Sequence, residues 1–197
     1  MRNKFLLLLI FISSFMYNIF AQQNERDAIQ MAVKDSIKLM QSQSFNNIKS
    51  VNGIYINPEF KFSIILPKFY LYEEKYDNNE LYAFNSNMGK DSLEAITVVI
   101  DEKSNDLNEY NVQTLIEINN NFSLVGKIET EDFTISGLKA KKNSFTVKML
   151  GRKVIINDYI FINNQYTYII TTSTYFENFD LVKARMENSV KTFQIIQ

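Results

Sequence analysis

The chain contains no histidine, no cysteine and no tryptophan among its 197 residues. Without cysteine there is no disulfide, no thiolate nucleophile, no zinc–thiolate site and no anchor through a lipid-modified N-terminal cysteine. Without histidine, the Ser-His-Asp triad, the imidazole general base and the imidazole metal ligand are excluded. Glycine and proline are also scarce, at 5 and 2. The sequence therefore holds no linker-like or collagen-like stretch, and it has no internal repeat. No metal and no cofactor is expected.

Charge of either sign is not in excess. Lysine and arginine number 21 against 22 acidic residues. Residues 1–21 carry Arg2 and Lys4 and no acid, so without them the net charge falls from −1 to −3. Nucleic-acid binders carry a clear basic excess, so no nucleic-acid partner is expected. The length and a hydrophobic content of 46% suit one globular domain.

Residues 1–21 read as an export signal. Arg2 and Lys4 supply the positive start, an unbroken apolar run covers 5–12, and Ala21 offers a small residue for cleavage before Gln22. The alternative is an uncleaved membrane anchor. A spanning helix needs about 20 apolar residues, and this run is interrupted at Ser13, Ser14 and Asn18. The expected location is therefore periplasmic or extracellular, with membrane contact only if the signal stays attached. Residues 22–50 hold a leading amphipathic helix and its connection. Ala28, Ile29, Ala32, Val33, Ile37 and Met40 recur at helical spacing over 24–43. This helix either packs on the domain or docks elsewhere.

The remainder, 51–197, reads as one domain of strands and helices. The strongest strand signal is a three-strand meander over 137–174. Phe145, Val147 and Met149 alternate with Ser144, Thr146 and Lys148, and Gly151 is placed first in a type II′ turn with Arg152. A second turn at Asn163-Asn164 leads to Tyr166, Tyr168 and Ile170 on one face. Short strands are expected at 51–56 and 60–66, another at 80–85, and one within 125–135. Residues 94–100 are apolar on both faces, the mark of a central strand covered on both sides. Lys139, Lys141 and Lys142 are either a basic contact patch or, more in keeping with strand chemistry, charges that blunt a sheet edge.

Two helices follow from capping and periodicity. Asp106 caps a helix whose apolar stripe is Val112, Leu115, Ile116 and Phe122. Thr174 and Glu177 form a capping-box pattern ahead of Phe176, Phe179, Val182, Met186 and Val190. Phe193 and Ile195 then alternate in a short closing strand. The acidic loop 101–106 fails as a calcium site, because Lys103 stands third and Asp106 occupies the glycine position.

Three stretches carry a family resemblance: Phe62-Ser63-Ile64-Ile65-Leu66-Pro67, the entry Gly137-Leu138-Lys139-Ala140, and the ending Ser189-Val190-Lys191-Thr192-Phe193. Together they resemble the PsbP-like family, whose superfamily includes a Ran-binding nuclear import adaptor. The resemblance implies an α+β fold, an antiparallel sheet of about six strands with helices on both faces in an α/β/α sandwich. It also implies a module that docks onto larger assemblies, and it carries over no catalytic residue.

The expected function is an exported, non-catalytic protein-binding or assembly module whose partner is another exported or envelope protein. Its candidate contact residues are Phe69, Tyr70, Tyr72 and Tyr76, since tyrosine buries area while keeping a wet hydroxyl. One alternative is a carrier of a small apolar ligand, lined by the aromatic residues that make up 14% of the chain. A less favoured one is a carboxylate-based hydrolase, although Asp101-Glu102 and Glu73-Glu74 are strand neighbours that point to opposite faces.

Overall fold

The structure is a computed structural model that describes residues 53–57, 59–68, 70–75, 81–86, 93–149, 151–163 and 165–196, with backbone alone for 71–75. The expected export signal with cleavage after Ala21 and the leading amphipathic helix lie outside the described residues.

Ten strands and two α-helices are described. They are β1 (Ile54–Asn57), β2 (Phe62–Ile65), β3 (Tyr70–Lys75), β4 (Leu81–Ser86), β5 (Glu94–Glu102), α1 (Leu107–Asn121), β6 (Glu129–Ile135), β7 (Leu138–Met149), β8 (Arg152–Ile162), β9 (Tyr166–Tyr175), α2 (Phe179–Lys191) and β10 (Gln194–Ile195). A short 3₁₀ turn, Phe176–Asn178, joins β9 to α2.

The strands form two antiparallel sheets. The main sheet has seven, in the order β3-β4-β5-β9-β8-β7-β6, and a small sheet has the order β1-β2-β10. The main sheet is the expected antiparallel sheet of about six strands, here seven. The early strands lie in a sheet of their own, because β2 pairs with β1 and with the chain's last strand. The meander has its three expected strands, β7, β8 and β9, and the strand expected within 125–135 is β6. β6 precedes the meander at the outer edge, and β9 returns to pair with β5 over nine register partners.

Each face of the main sheet is covered, as the α/β/α expectation required. On one face α1 packs through Tyr110 and Ile118 against Phe145, Val147, Val154, Ile156, Ile160 and Ile169. On the other, α2 and the small sheet pack through Val182, Met186, Phe62 and Ile64 against Ile96, Val98, Tyr159, Phe161 and Tyr168. β5 is buried along all but its last residue, as its two-sided apolar pattern predicts. The second core is dense with rings. Phe62 stacks on Phe193 at 5.1 Å, and Phe161 on Tyr168 at 5.3 Å, the spacing of favourable aromatic pairs.

The turns differ from their expected forms. Met149 and Arg152 are register partners, so Gly151 is the second central residue of its turn, with φ +82°. The 163–166 turn is closed by the Asn163 side chain, whose Oδ1 accepts from the amides of Gln165 and Tyr166 at 2.7 Å each. The β6–β7 turn carries positive φ at both Ser136 and Gly137, the requirement of a type I′ hairpin.

The helices also depart from their apolar patterns. Asp106 caps α1 as expected, accepting from Asn108 and Glu109 amides at 2.7 and 3.0 Å. Yet Val112 and Ile116 face solvent, and the buried face is Tyr110, Asn111, Thr114 and Ile118. Polar partners beneath the helix turn it. Tyr110 donates to Asp101 Oδ2 at 2.9 Å, and Asn143 Nδ2 donates to Asn111 Oδ1 at 2.7 Å. Thr174 does not cap α2, because β9 continues to Tyr175 and holds Thr174 in the sheet. Asn178 stands at the N-cap position with no side-chain capping bond, and Phe176 is exposed.

The lysines at the start of β7 are not on an edge strand. β6 lies outside them, and Lys141 and Lys142 pair with its Asp132 and Glu131, each at 2.7 Å. The charged edge is β6 itself.

Candidate functional site

A groove and a part-buried ion pair are found where α2 meets β2. β10 is only two residues long and pairs with Ser63 and Phe62, so it leaves Ile65 without a strand partner on that side. α2 supplies the missing bonds from side chains. The Ile65 amide donates to Thr192 Oγ1 at 2.8 Å, and Ser189 Oγ donates to the Ile65 carbonyl. A helix end thus substitutes for a strand, and a groove of about 370 Å³ opens beside it. Ile65, Leu66, Pro67 and Lys68 form one wall, and Arg185, Asn188, Ser189 and Thr192 form the other.

Below the groove lies a charged clamp. Glu94, at the start of β5, is 4% exposed. Arg185 grips both its oxygens, from Nε to Oε1 at 2.6 Å and from a terminal nitrogen to Oε2. Tyr70 donates to Oε1 at 2.6 Å. The planar guanidinium matches a carboxylate in this two-point manner, and the third donor satisfies a remaining lone pair. Burial, together with its bond to Glu94, holds the Tyr70 phenol well above its ordinary range. The bond to Glu94 likewise raises the Arg185 guanidinium.

The four expected contact residues can now be placed. Tyr70 is 9% exposed and faces the core, where its hydroxyl is bound by Glu94, so it offers no wet hydroxyl to a partner. The backbone of Tyr72 lies in β3, but its side chain, Phe69 and Tyr76 lie outside the described residues.

A different surface does stand out. The outward face of the small sheet carries Ile54, Ile56 and Ile65, at 36%, 43% and 46% exposure. Ile54 and Ile65 are direct cross-strand partners, and Ile56 follows on the same face of β1. Lys61 and Lys68 are exposed at its ends. The alternation in β1 and β2 contained this face, but alternation alone does not say whether the outer row meets solvent.

Among the described residues, no group of three or more acidic side chains is placed to hold a metal ion. Asp101 is buried and receives Tyr110, while Glu102 is exposed on the opposite face. No described helix is long and apolar enough to cross a membrane.

No family model matches the chain, and no curated protein matches it. Solved structures do. A Pseudomonas aeruginosa protein of unknown function, PA94, aligns with a TM-score of 0.52 at 11% identity, covering 62% of this chain and 94% of that one. Cyanobacterial PsbP from Synechocystis aligns at 0.51 and 13%, covering 77% and 97%. LpqN of Mycobacterium tuberculosis, described as involved in cell envelope biogenesis, aligns at 0.53 and 7%, covering 69% and 83%. The fold is PsbP-like. Identities this low speak to the fold alone.

Proposed function

We propose that this chain is an exported protein-binding or assembly module that acts by docking rather than by catalysis. The observation that carries this reading is the isoleucine face of the small sheet. Singly scattered apolar residues are ordinary on a protein surface, but adjacent ones rimmed by charge mark interaction sites. Ile54, Ile56 and Ile65 are adjacent by register. The basic rim of Lys61 and Lys68 favours an envelope protein whose apolar contact surface has an acidic border. The signal-like residues 1–21 and the envelope role of one structural relative support the location.

The test is a photo-crosslinking amino acid placed at Ile56 in the secreting cell, with a control at Val112 on the outer face of α1. One discrete adduct at position 56 and none at position 112 is the expected result. Adding Ile65→Glu should abolish the adduct while leaving the unfolding midpoint within about 0.5 kcal/mol of the parent, as befits an exposed position. Equal adducts at the two positions, or an adduct indifferent to Ile65→Glu, would remove this face as the docking surface.

A further inference from the structure

A second concavity lies on the other side of α2, between the first half of the helix and strands β7, β8 and β9. Its volume is about 340 Å³, at the small end of the range for small-molecule sites, roughly 300–1,000 Å³. Its floor is made of neutral hydrogen-bonding groups. Thr172 and Thr174 project from the same face of β9, each 2% exposed. Asn157 stands beside Thr172 in register and donates to its Oγ1 at 3.2 Å, while Ser144 donates to Asn157 Oδ1 at 2.8 Å. Asn157 is thereby oriented, and the Thr172 hydroxyl keeps its own proton to donate. Thr174 lines the cavity, and its hydroxyl is buried with no hydrogen-bond partner among the described residues. A buried hydroxyl without a partner costs about 1–3 kcal/mol, a cost that a ligand hydroxyl in the cavity would relieve.

The charges at the rim are already matched. Lys142 binds Glu131 at 2.7 Å, Lys183 binds Asp180 at 2.9 Å, and Glu187 lies 3.3 Å from Lys191. Each of these rim charges therefore already has an opposite charge beside it. Glu187 and Glu131 also push the Tyr159 phenol upward after its burial, the sign of a locally negative field. Phe179, Met186 and Ile155 supply an apolar wall. Neutral donors below, balanced charge above and an apolar side describe one ligand chemistry.

We propose that this pocket binds a small neutral polyol of the size of a single sugar ring, with ring hydroxyls on Thr172 and Thr174 and the apolar ring face against Phe179 and Met186. The site is separate from the isoleucine face, and neither reading depends on the other.

The test is ligand-observed NMR on the full mature chain with glucose and N-acetylglucosamine, each compared with glucuronate and inorganic phosphate. The neutral sugars are expected to bind, and both anions to bind more weakly or not at all. Thr174→Val removes only an unpartnered hydroxyl, so the protein should remain at least as stable while sugar affinity falls about tenfold, the worth of one hydrogen bond. Leu181→Ser, on the exposed side of α2, should leave affinity unchanged. Absence of sugar binding at tens of millimolar, tighter binding of glucuronate or phosphate, or full affinity in Thr174→Val would each overturn the proposal.

Discussion

Asp158 is fully buried in β8, on the face of the main sheet that lies under α1. Its Oδ1 accepts from Thr171 at 2.6 Å, and its Oδ2 has no hydrogen-bond partner among the described residues. Its register neighbours across the sheet are Thr171 with Thr97 beyond it on one side, and Asn143 with Thr130 on the other, all neutral. No cation stands among these register neighbours, and burial pushes the carboxyl up to about 7. In the unfolded chain the same group titrates near about 3.9. Between those values the native state binds the extra proton, so stability falls as pH rises from about 4 to about 7 and is level above that. Asp158→Asn keeps the shape and cannot ionise. Urea unfolding should find this variant more stable than the parent at pH 8, by on the order of 4 kcal/mol, and equal to it near pH 4. Parallel stability curves for the two proteins would mean that Asp158 is ionised in the native state.

At the scale of elements, α1 is where apolar pattern and observed packing part. Counting hydrophobic residues puts Val112 and Ile116 inward, whereas the sheet beneath presents Asp101 and Asn143, which demand hydrogen-bond partners. Leaving those buried groups unsatisfied costs more than exposing two aliphatic side chains. The expected ranking of substitutions is therefore inverted. Asn111→Leu, which raises hydrophobicity, should destabilise by about 1–3 kcal/mol because Asn143 loses its acceptor, while Val112→Ser and Ile116→Ser should stay within about 0.5 kcal/mol. Denaturation midpoints of the three variants decide it. What was legible along the chain was local. The alternation of β7 to β9, the two-sided run of β5 and the Asp106 cap all depend on near neighbours. β3 was not legible, because its register slips between Tyr72 and Glu74 and its charged residues break the period of two. The clamp of Glu94, Arg185 and Tyr70 was not legible either, since its members lie 91 and 24 positions from Glu94 and only the fold joins them.

At the scale of the molecule, the question is whether the small sheet is an appendage or part of one cooperative unit. Its outer row of isoleucines meets solvent, but its inner row enters the larger aromatic core. Phe193, just before β10, is fully buried and touches both sheets at once. It stacks on Phe62 of β2 at 5.1 Å and meets Phe161 of β8 and Tyr168 of β9 edge-on at 5.3 and 5.5 Å. Tyr168 adds a bond from its hydroxyl to the Phe60 carbonyl at 2.9 Å, and Ser136, in the β6–β7 turn, donates to the Phe193 carbonyl. The chain's end therefore locks the early strands onto the meander. Phe193→Ala should cost about 3–5 kcal/mol, the usual loss for a buried phenylalanine. Because the ring is shared, that loss should lower a single unfolding transition seen equally by far-ultraviolet circular dichroism and tyrosine fluorescence. Two separated transitions, with the small sheet released first, would instead make the isoleucine face part of a detachable flap. A docking partner would then bind and order that flap, and the apparent affinity at Ile56 would fall with the fraction of molecules in which it is closed.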